Sequence, residues 1–394
     1  MKRTAPALDA ALGRLAAAQL QRTRLTIESR PVAGRRTLIA AGRALVDFSS
    51  NDYLGLARHP ALAAAMSECA ARCGAGSGAS HLITGHGAEH ALLEEELAAF
   101  TRRERALLFS TGYMANLAVM AALGGHGERV LLDRLCHASL IDGARLSGAA
   151  LRRYGHADAD SATRLIGADP GHTALVATDG VFSMDGDLAP LPALARLARA
   201  ADAWLVVDDA HGLGVVGASG GGVLEHFGLG EEAVPVLVGT LGKAFGSFGA
   251  FVAGGADLIE MLIQRARPYI YTTALPQPVA AATRAALRLA RSESWRRERL
   301  RALTARFRAA AATAGVPLAA SDTPIQPVLL GSAERALTTQ RALQAAGFLV
   351  VAIRPPTVPP GSARLRVTLS AAHTEGEIDA LVAQLARTCP RREA

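Results

Sequence analysis

Short apolar runs alternate with longer helical patterns over residues 46–290, and this alternation constrains the fold more than any other feature of the chain. The apolar runs lie at 106–109, 130–133, 174–178, 204–207, 234–238 and 250–253. Helical patterns separate them at 89–100, 114–123 and 191–201. Nearly continuous apolar strands joined by helices are typical of a mostly parallel sheet covered by helices on both faces. The sequence therefore predicts an α/β fold.

The two ends of the chain differ from this middle region. Residues 1–24 have leucines near helical spacing (Leu8, Leu12, Leu15 and Leu20) and predict an amphipathic helix. Residues 291–345 are rich in Arg and Ala and read as helical, and strand-like segments lie at 326–330, 349–353 and 363–369. We expect three parts: a helical or extended arm over 1–45, a large α/β domain over 46–290 and a smaller α+β domain over 291–394.

Composition excludes several classes of protein. Half of the 394 residues are hydrophobic and 20% are charged, which indicates a folded chain with a large core. The four cysteines (Cys69, Cys73, Cys136 and Cys389) have neither zinc spacing nor disulfide density, which favours a reducing cytoplasm. No apolar run is long enough to span a bilayer. Asp9 and Arg14 interrupt the first apolar stretch, which favours a helix over a signal peptide.

The formal net charge of +7 raises the question of nucleic-acid binding. The arginines are spread along the chain, however, and residues 201–250 contain none. The densest cluster, at 296–308, is typical of a solvated helix face, and no zinc-finger or RNA-recognition sequence accompanies it. We therefore expect no nucleic-acid partner. A basic surface also suits a substrate that carries phosphate groups.

Only two of the 42 basic residues are lysines, Lys2 and Lys243. Arginine replaces lysine as a solvated charge, but it cannot lose its proton and attack a carbonyl group. Lys243 is therefore the first candidate for amine chemistry. A single surface lysine remains the alternative on composition alone.

Polar residues follow five of the apolar runs, where an open α/β sheet binds its ligands. They are Ser110-Thr111-Gly112, His137, Asp179 to Ser183, Asp208 to His211, and Thr240 to Lys243. Because these runs are expected to end at one edge of the sheet, their polar residues should converge there.

The residues Asp208, His211 and Lys243 suggest a specific cofactor. Asp208 could bind a metal, pair with an arginine or pair with a protonated ring nitrogen, and the absence of a nearby third ligand disfavours a metal. An acid and an amine at neighbouring strand ends, with hydroxyl groups between them, are what pyridoxal 5'-phosphate requires: the amine forms a Schiff base and the carboxylate keeps the ring nitrogen protonated. His211 could also be a structural histidine.

Two further strand ends fit the same cofactor but have ordinary alternatives. The residues before the helical pattern at 114–123 could bind the phosphate through backbone N–H groups, or could form a common helix N-cap. His137 could stack on the pyridine ring, or could be a capping or core histidine.

Two glycine patterns resemble the binding motifs of other cofactors, but neither is complete. The G-x-G-x-x-G at 212–217 lacks a following helix, and Gly242-Lys243-Ala244 lacks the remaining elements of a P-loop.

Five segments together resemble the α-oxoamine synthases, fold type I pyridoxal-phosphate enzymes that condense an amino acid with an acyl-CoA and release CO2. The segments are 48–56 (FSSNDYLGL), 110–113 (STGY), 179–187 (DGVFSMDGD), 208–212 (DDAHG) and 240–243 (TLGK). The similarity runs from about residue 15 to residue 375. One departure is Asp179, where this family commonly carries Glu.

The resemblance implies roles for individual residues. Lys243 would hold the cofactor and then act as the base, with His137 and Asp208 as its catalytic partners. The implied cofactor contacts are Gly112, Tyr113, His137, Ser183, Asp208, His211, Thr240 and Lys243. Asn51 and Arg354 would bind the substrate carboxylate, His137 would also face the substrate, and Arg22 and Thr357 would contact the acyl substrate. Arg24 is a rival for Arg22. No metal is implied.

Two stretches, 76–94 and 354–359, are most similar to the branch of the family that uses L-alanine and a pimeloyl thioester, either pimeloyl-CoA or pimeloyl-acyl-carrier protein. The resemblance further implies a homodimer. Two alternatives remain at this point. One is a glycine-using member of the family, and the other is a non-catalytic binding or regulatory protein on the same fold.

Overall fold

The computed structural model describes residues 5–18, 20–30, 36–168 and 171–389. Its internal contacts divide the chain into two compact units. The central unit comprises residues 51–300, and the terminal unit comprises residues 1–50 together with 301–394. The sequence-based boundaries at 45/46 and 290/291 lie five and ten residues before these divisions. The amino-terminal arm therefore belongs to the same unit as the carboxyl-terminal α+β region.

The described residues contain thirteen strands and fourteen helices. The strands are β1 (Thr37–Ala40), β2 (Arg43–Asp47), β3 (Arg105–Phe109), β4 (Arg129–Asp133), β5 (Ala150–Tyr154), β6 (Thr173–Asp179), β7 (Trp204–Asp208), β8 (Val236–Thr240), β9 (Ala250–Gly254), β10 (Ile325–Gly331), β11 (Phe348–Leu349), β12 (Val351–Ile353) and β13 (Ala363–Thr368). The helices are α1 (Ala5–Ala17), α2 (Pro60–Cys73), α3 (Ala88–Thr101), α4 (Gly112–Leu123), α5 (Ala138–Ser147), α6 (Ala159–Gly167), α7 (Leu191–Ala200), α8 (Gly222–Phe227), α9 (Ala256–Arg265), α10 (Arg267–Ile270), α11 (Gln277–Ser292), α12 (Trp295–Thr313), α13 (Ala333–Ala345) and α14 (Glu375–Thr388). A π-helical turn, His81–Gly85, precedes α3.

A seven-stranded sheet forms the central unit, in the order β3-β9-β8-β7-β6-β4-β5. The neighbours β5, β4, β6, β7 and β8 run parallel, whereas β9 is antiparallel to both β8 and β3. Strands β4, β6 and β9 are buried along their whole length, which explains why their sequences are almost continuously apolar. The predicted mostly parallel α/β sheet is confirmed.

One strand of this sheet was missed by the sequence analysis. Strand β5 lies at the edge of the sheet beside β4, and most of its side chains are exposed or half-buried. Its sequence, ALRRY, contains two adjacent arginines because an edge strand needs no apolar face on the solvent side. The apolar-run criterion therefore could not detect it.

The terminal unit contains two three-stranded sheets, β1-β2-β11 and β10-β13-β12. Strands β1 and β2 form a hairpin whose turn residues, Ala41 and Gly42, both have positive φ angles. The predicted strand at 349–353 is in fact two short strands in different sheets, β11 and β12, with Val350 between them.

The predicted amphipathic helix over residues 1–24 is wrong in its length. Helix α1 ends at Ala17, and residues 20–28 follow without regular structure. Thr23, Thr26 and Ile27 are β-branched, which disfavours continuation of the helix. The leucine stripe is also unburied: the side chains of Leu8, Leu12 and Leu15 are all exposed. Among the described residues, no helix combines the length and the apolar character that crossing a membrane requires.

Candidate active site

Lys243 lies on a tight loop that joins the antiparallel strands β8 and β9. The loop is closed by backbone hydrogen bonds, including one of 2.9 Å from Gly246 N to Lys243 O. Gly246 has a φ of 63°, and a Cβ atom there would lie 2.2 Å from the backbone nitrogen of Ala57. Only glycine fits this position, so the sequence Lys-Ala-Phe-Gly fixes the lysine at the end of β8.

The amine of Lys243 contacts a buried histidine. Lys243 Nζ lies 2.8 Å from His211 Nε2, and His211 Nδ1 lies 2.7 Å from the hydroxyl of Tyr53. Both His211 and Tyr53 are buried. The spacing of 32 residues between Lys243 and His211 therefore corresponds to direct contact.

Asp208 ends strand β7 and is held by two donors. Asn116 Nδ2 donates to Asp208 Oδ2 at 2.6 Å, and the backbone N–H of Ala210 donates to Oδ1 at 3.0 Å. Asn116 Nδ2 also donates to Ser139 Oγ at 2.8 Å, and this hydroxyl lies 2.7 Å from His137 Nδ1. The carboxylate and His137 are thus parts of one hydrogen-bonded network.

His137 caps helix α5, since its Nδ1 accepts the N–H of Ser139 at 3.3 Å. The capping interpretation is therefore correct, and it is compatible with a ring face turned toward a ligand because the side chain remains exposed. Desolvation by the surrounding protein lowers the pKa of His137, the charge of Asp208 opposes this, and the charge of Lys243 adds to it. The charges of Asp208 and Lys243 thus both act on the His137 ring.

Asp179 ends strand β6 directly beside Asp208, its register partner in β7. Its Oδ1 accepts the backbone N–H of His137 at 2.9 Å, so the shortened acid positions the histidine loop. Complete burial raises the pKa of Asp179 well above its ordinary value, and the charge of Asp208 raises it further. Asp179 stands where the resembled family commonly carries Glu. Its carboxylate therefore contacts the backbone of the loop that holds His137.

The remaining predicted cofactor residues lie at the same edge of the sheet. Thr111 caps α4 by accepting the N–H of Met114 at 3.2 Å, and the helix begins at Gly112, two residues earlier than predicted. The N-terminal N–H groups of a helix lack intrahelical acceptors, which suits an anion. Tyr113 is half-exposed and donates to Asp142. Thr240, at the end of β8, donates to Gly249 O at 3.2 Å.

His156 joins two loops behind the site, and sequence reasoning missed it. Its Nδ1 lies 3.1 Å from Asp133 Oδ1, and its Nε2 lies 2.9 Å from Asp187 Oδ2. Desolvation lowers the pKa of His156, but the two carboxylates outweigh it and raise the pKa to about 10. The charged ring therefore ties the loop before His137 to the loop that carries Ser183.

The predicted substrate residues divide between the two units. Asn51 belongs to the central unit, where its Oδ1 accepts the Tyr53 hydroxyl at 3.2 Å. Arg22, Arg354 and Thr357 belong to the terminal unit. There Arg354 Nη2 donates to the carbonyl of Gln21 at 3.1 Å, which brings Arg354 next to the Arg22 segment.

A cluster of three histidines, His81, His86 and His90, lies at the π-helical turn, with ring nitrogens within 4.8 Å of one another. His90 Nδ1 accepts the N–H of Gly87 at 2.9 Å, and its Nε2 contacts the carbonyl of Leu275. Desolvation and the neighbouring rings lower the pKa of His81 to about 3. Both nitrogens of His90 are therefore engaged by backbone groups, Nδ1 by Gly87 and Nε2 by Leu275.

The glycine pattern at 212–217 has a packing explanation. Helix α8 begins only at Gly222, which has a φ of 83°, and a Cβ atom there would lie 1.9 Å from Asp209 Oδ2. That oxygen accepts the N–H of Val223 at 2.9 Å. Within the pattern itself, a Cβ atom at Gly212 would lie 2.0 Å from Asp209 Oδ1, so Gly212 and Gly222 both make room for a buried aspartate.

An open cleft of about 430 Å³ lies at the opposite, amino edge of the same sheet. Its polar and aromatic lining consists of Glu128, His172, Arg199, Asp202, Trp204 and Glu232. None of the predicted site residues lines it. The candidate chemistry is therefore confined to the carboxyl edge, as expected for an α/β sheet.

Known proteins match the chain over nearly its whole length. The family model described as aminotransferase class I and II matches residues 43–385. An 8-amino-7-oxononanoate synthase from Methylococcus capsulatus is 60% identical over 381 residues, which cover 97% of this chain and 98% of the relative. Another, from Alkalilimnicola ehrlichii, is 61% identical over 90% of each chain. The chain belongs to the 8-amino-7-oxononanoate synthase family.

Solved structures agree with this family assignment. An 8-amino-7-oxononanoate synthase from Francisella tularensis has a TM-score of 0.77 and 32% identity, over 87% of this chain and 97% of that one. A serine palmitoyltransferase from S. paucimobilis has a TM-score of 0.91 and 30% identity, over 97% and 96%. Members of the 8-amino-7-oxononanoate synthase family are fold type I enzymes, and the chain is accordingly a pyridoxal-phosphate-dependent enzyme of the acyltransferase type. The predicted fold class, cofactor and enzyme class are confirmed.

The donor set at the carboxyl edge fits pyridoxal phosphate. A buried carboxylate at the end of β7 suits a pyridine nitrogen, an amine at the end of β8 suits an aldehyde, and the start of α4 suits a phosphate. All three lie in the central unit on one sheet edge. The residues at this edge therefore agree with membership in the 8-amino-7-oxononanoate synthase family.

Proposed function

We propose that the chain condenses L-alanine with a pimeloyl thioester to give 8-amino-7-oxononanoate, CO2 and a free thiol, as a step of biotin biosynthesis. The thioester is carried by coenzyme A or by acyl-carrier protein. The observation that carries the proposal is the contact of 2.8 Å between Lys243 Nζ and His211 Nε2, at the sheet edge where Asp208 also ends its strand. The chain's 60% identity to an 8-amino-7-oxononanoate synthase supports the same reaction.

The proposal assigns the cofactor to residues of the carboxyl edge. Asp208 would pair with the protonated ring nitrogen, His211 would hydrogen-bond the ring hydroxyl oxygen, and His137 would pack on the ring. Gly112, Tyr113, Ser183 and Thr240 hold the remainder of the molecule. Pyridoxal phosphate supplies a ring that withdraws electrons from the α-carbon of an amino acid attached to it.

Lys243 does the proton chemistry in this proposal. Its neutral amine removes the α-proton of alanine, which an arginine could not do. The electron pair left on the α-carbon forms the bond to the thioester carbonyl carbon, and the carbon–sulfur bond breaks to release the thiol. The alanine carboxylate then leaves as CO2, and a proton returns to the α-carbon.

Four residues are proposed to select the substrates. Asn51 and Arg354 bind the carboxylate of the amino-acid substrate, because an amide donor and a guanidinium suit an anion. Arg22 and Thr357 contact the acyl substrate. The hydrogen bond from Arg354 to Gln21, the residue before Arg22, supports the grouping of the two arginines.

A thiol-release assay tests the reaction. Purified holoenzyme is given alanine with pimeloyl-CoA, alanine with pimeloyl-acyl-carrier protein, or glycine with shorter acyl-CoAs. We expect faster turnover with alanine and one of the pimeloyl donors. Faster turnover with glycine would identify a glycine-using α-oxoamine synthase instead, and no turnover with any pair would favour a binding protein on the same fold.

The proposal includes a cytoplasmic homodimer. The four cysteines are unpaired, which suits a reducing compartment. Ile83 and Tyr271 are large apolar side chains of the central unit with exposures of 75% and 68%, and such residues suit a subunit interface. Sedimentation velocity measures the mass directly, and a particle of one chain would contradict the homodimer.

A further inference from the structure

Four polar side chains of the central unit form a hydrogen-bonded network that runs from Asp208 to His137. Asn116 Nδ2 lies 2.6 Å from Asp208 Oδ2 and 2.8 Å from Ser139 Oγ. The same Ser139 hydroxyl lies 2.7 Å from His137 Nδ1. Asn116 and Ser139 are 1% and 0% exposed, so protein surrounds the middle of the network. Each of its contacts therefore needs a donor that faces an acceptor.

Asp208 fixes the orientation of the Asn116 amide. Its two oxygens accept N–H groups, Oδ1 from the backbone of Ala210 at 3.0 Å and Oδ2 from Asn116 at 2.6 Å. Because a carboxylate only accepts, the amide must turn its nitrogen toward Asp208. This orientation leaves Asn116 Oδ1 buried and without a hydrogen-bond donor among the described residues. An unsatisfied buried oxygen costs free energy, so the bonds of the amide nitrogen outweigh that cost.

The amide then fixes the position of a proton two groups away. Asn116 Nδ2 has two hydrogens and donates one to Asp208 and the other to Ser139 Oγ. Since the Ser139 oxygen accepts, its own proton is directed to His137 Nδ1. The backbone N–H of Ser139 also donates to Nδ1, at 3.3 Å. A ring nitrogen that faces two donors carries no proton, and a neutral imidazole of this kind has its proton on Nε2.

We propose that Asn116 is a positioning residue that keeps His137 neutral, with its one proton on Nε2. Asn116 acts on the ring through Ser139, and Asp208 in turn sets the orientation of Asn116. The carboxylate at the end of β7 thereby controls where the proton lies on the histidine that precedes α5. Buried in α4, Asn116 serves this role through its two neighbours and not through a ligand.

The charges around the His137 ring act in both directions. Desolvation lowers the pKa of His137, Asp208 raises it, Lys243 lowers it and Asp142 raises it. Asp142 lies on α5 and Lys243 on the loop after β8. The two carboxylates favour a charged ring. The donors that face Nδ1 oppose them, and they act in the same direction as burial and Lys243.

The benefit of a neutral ring rests on the proposed function, in which His137 packs on the pyridine ring. A charged imidazole would repel a ring whose nitrogen is protonated, and a neutral one does not. The network is compatible with a bound cofactor, because each oxygen of Asp208 can accept more than one hydrogen bond. Asp208 can therefore pair with the ring nitrogen and keep its bond from Asn116.

The tautomer of His137 is measurable without turnover. Nitrogen NMR of the holoenzyme, isotopically labelled at the histidine ring nitrogens, distinguishes a protonated nitrogen from an unprotonated one. Loss of a signal in His137→Gln assigns it. In the unmodified enzyme at neutral pH we expect a protonated Nε2 and an unprotonated Nδ1. A protonated Nδ1 overturns the proposal without any variant of Asn116.

Asn116→Leu removes the donors and keeps a side chain of similar size. We expect the pKa of His137, from a pH titration of its ring signals, to rise by about one pH unit, because the Ser139 hydroxyl can then turn and accept from the ring. The matched control is Met120→Leu, which changes another buried side chain of α4. The control should keep the wild-type pKa. A wild-type pKa in Asn116→Leu overturns the proposal.

A double-mutant cycle tests the route through Ser139. Ser139→Ala removes the link between Asn116 and the ring but leaves the bond from Asn116 to Asp208. Adding Asn116→Leu to Ser139→Ala should then move the pKa of His137 less than half as far as Asn116→Leu does alone, since residues of one network are not additive. An equally large second shift would mean that Asn116 acts on the ring by another route, and would overturn the proposal.

The pH profile of alanine turnover tests the consequence for the reaction. In Asn116→Leu we expect the acid limb of kcat/KM to move upward by about the same amount as the pKa of His137. Met120→Leu should keep the wild-type profile. An acid limb that stays in place while the pKa of His137 shifts would overturn the link between the neutral ring and catalysis.

The two proposals fail separately. If the unmodified enzyme does not turn over alanine, but His137 shows the expected tautomer and its pKa rises in Asn116→Leu, the proposed reaction is overturned and the role of Asn116 toward His137 is supported. If alanine is turned over with a pimeloyl donor and the pKa of His137 does not rise in Asn116→Leu, the reaction is supported and the role of Asn116 is overturned.

Discussion

The two edges of the central sheet carry similar residue types in very different states. At the carboxyl edge, Asp179, Asp208 and His211 are buried and joined by hydrogen bonds to neighbouring groups. At the amino edge, Glu128 and His172 line an open cleft and form a looser pair, 3.7 Å apart. The same strands supply both edges. Burial and mutual hydrogen bonding, rather than residue type, therefore mark the edge where the chemistry is proposed.

The two edges also differ in how a histidine contacts carboxylates. His156 at the carboxyl edge is clamped between two carboxylates at 3.1 and 2.9 Å. His172 at the amino edge faces one carboxylate, and its side chain is 55% exposed. Exposed ion pairs contribute little to stability because water and salt screen them. Substitutions at one edge should therefore have large effects, and chemically matched ones at the other edge small effects.

The largest effect is expected for Lys243→Ala. Without the amine there is no covalent hold on the cofactor and no base, so turnover in the thiol-release assay should fall by about 10³-fold or more. Lys243→Arg should fall as far, since it keeps the charge but cannot release the proton. Arg199→Ala removes a basic residue of the amino edge and should stay within about twofold. A Lys243→Ala enzyme that retains wild-type turnover would refute the site.

Asp208→Asn is expected to have the second-largest effect. The amide keeps the shape of the carboxylate but not the charge that holds a proton on the ring nitrogen, so kcat should fall about 10²-fold. The control is Asp202→Asn at the amino edge, where the residue has a φ of 52° that asparagine tolerates well. Equal losses of kcat in the two variants would show that the edges do not differ in the way described.

The pH dependence of stability tests the His156 clamp. Its folded pKa of about 10 exceeds the ordinary value of 6.5, so the folded state binds the proton more tightly than the unfolded state. The stabilisation is complete below about pH 6.5 and is lost as the pH rises through about 10. We expect about 3 kcal/mol from this source, measured by urea unfolding of the wild type and His156→Gln at pH 6 and pH 10.

His172→Gln provides the comparison for the clamp. Its unfolding free energy should follow the wild type across the same pH range. If His156→Gln and the wild type also lose the same stability between pH 6 and pH 10, the clamp does not hold the proton.

Glu128→Gln at the amino edge should have the smallest effect. The exposed pair with His172 is worth at most about 0.5 kcal/mol in the free energy of unfolding, and salt should remove even that. Urea unfolding at low and at physiological ionic strength measures the difference. A loss above about 1 kcal/mol at physiological ionic strength would mean that the amino-edge cleft is more tightly organised than its exposure indicates.

The sequence predicted the elements whose burial is visible in their amino-acid composition. Strands β4, β6 and β7 were located to within one residue at either end, because strands covered on both faces are apolar throughout. The edge strand β5 and the end of α1 were not, since exposed segments carry no such pattern. Among these elements, exposure therefore decided which were predictable.

The residues of the site also differ in how far the sequence could predict them. That Lys243, Asp208 and His211 lie at one edge of the sheet was predictable, because each follows an apolar run. Asn116 and Tyr53 were not identified as partners, since their hydrogen bonds to Asp208 and His211 span 92 and 158 residues of chain. Tyr53 stood within a recognised segment without a role, and Asn116 lay inside an apolar helix as its polar exception. A polar residue on an otherwise apolar helix is the one signal that could have found it.

Because lysine is so scarce, proteolytic digestion of the chain can report on the state of the Lys243 amine. An endoproteinase that cuts after lysine has only two sites, after Lys2 and after Lys243. It would divide nearly the whole chain into two large pieces, and the second cut falls within the proposed site. Once reduced with borohydride, an imine on the Lys243 amine would block that cut in the unfolded chain, so a gel of the digested protein would report the fraction of molecules whose amine was engaged.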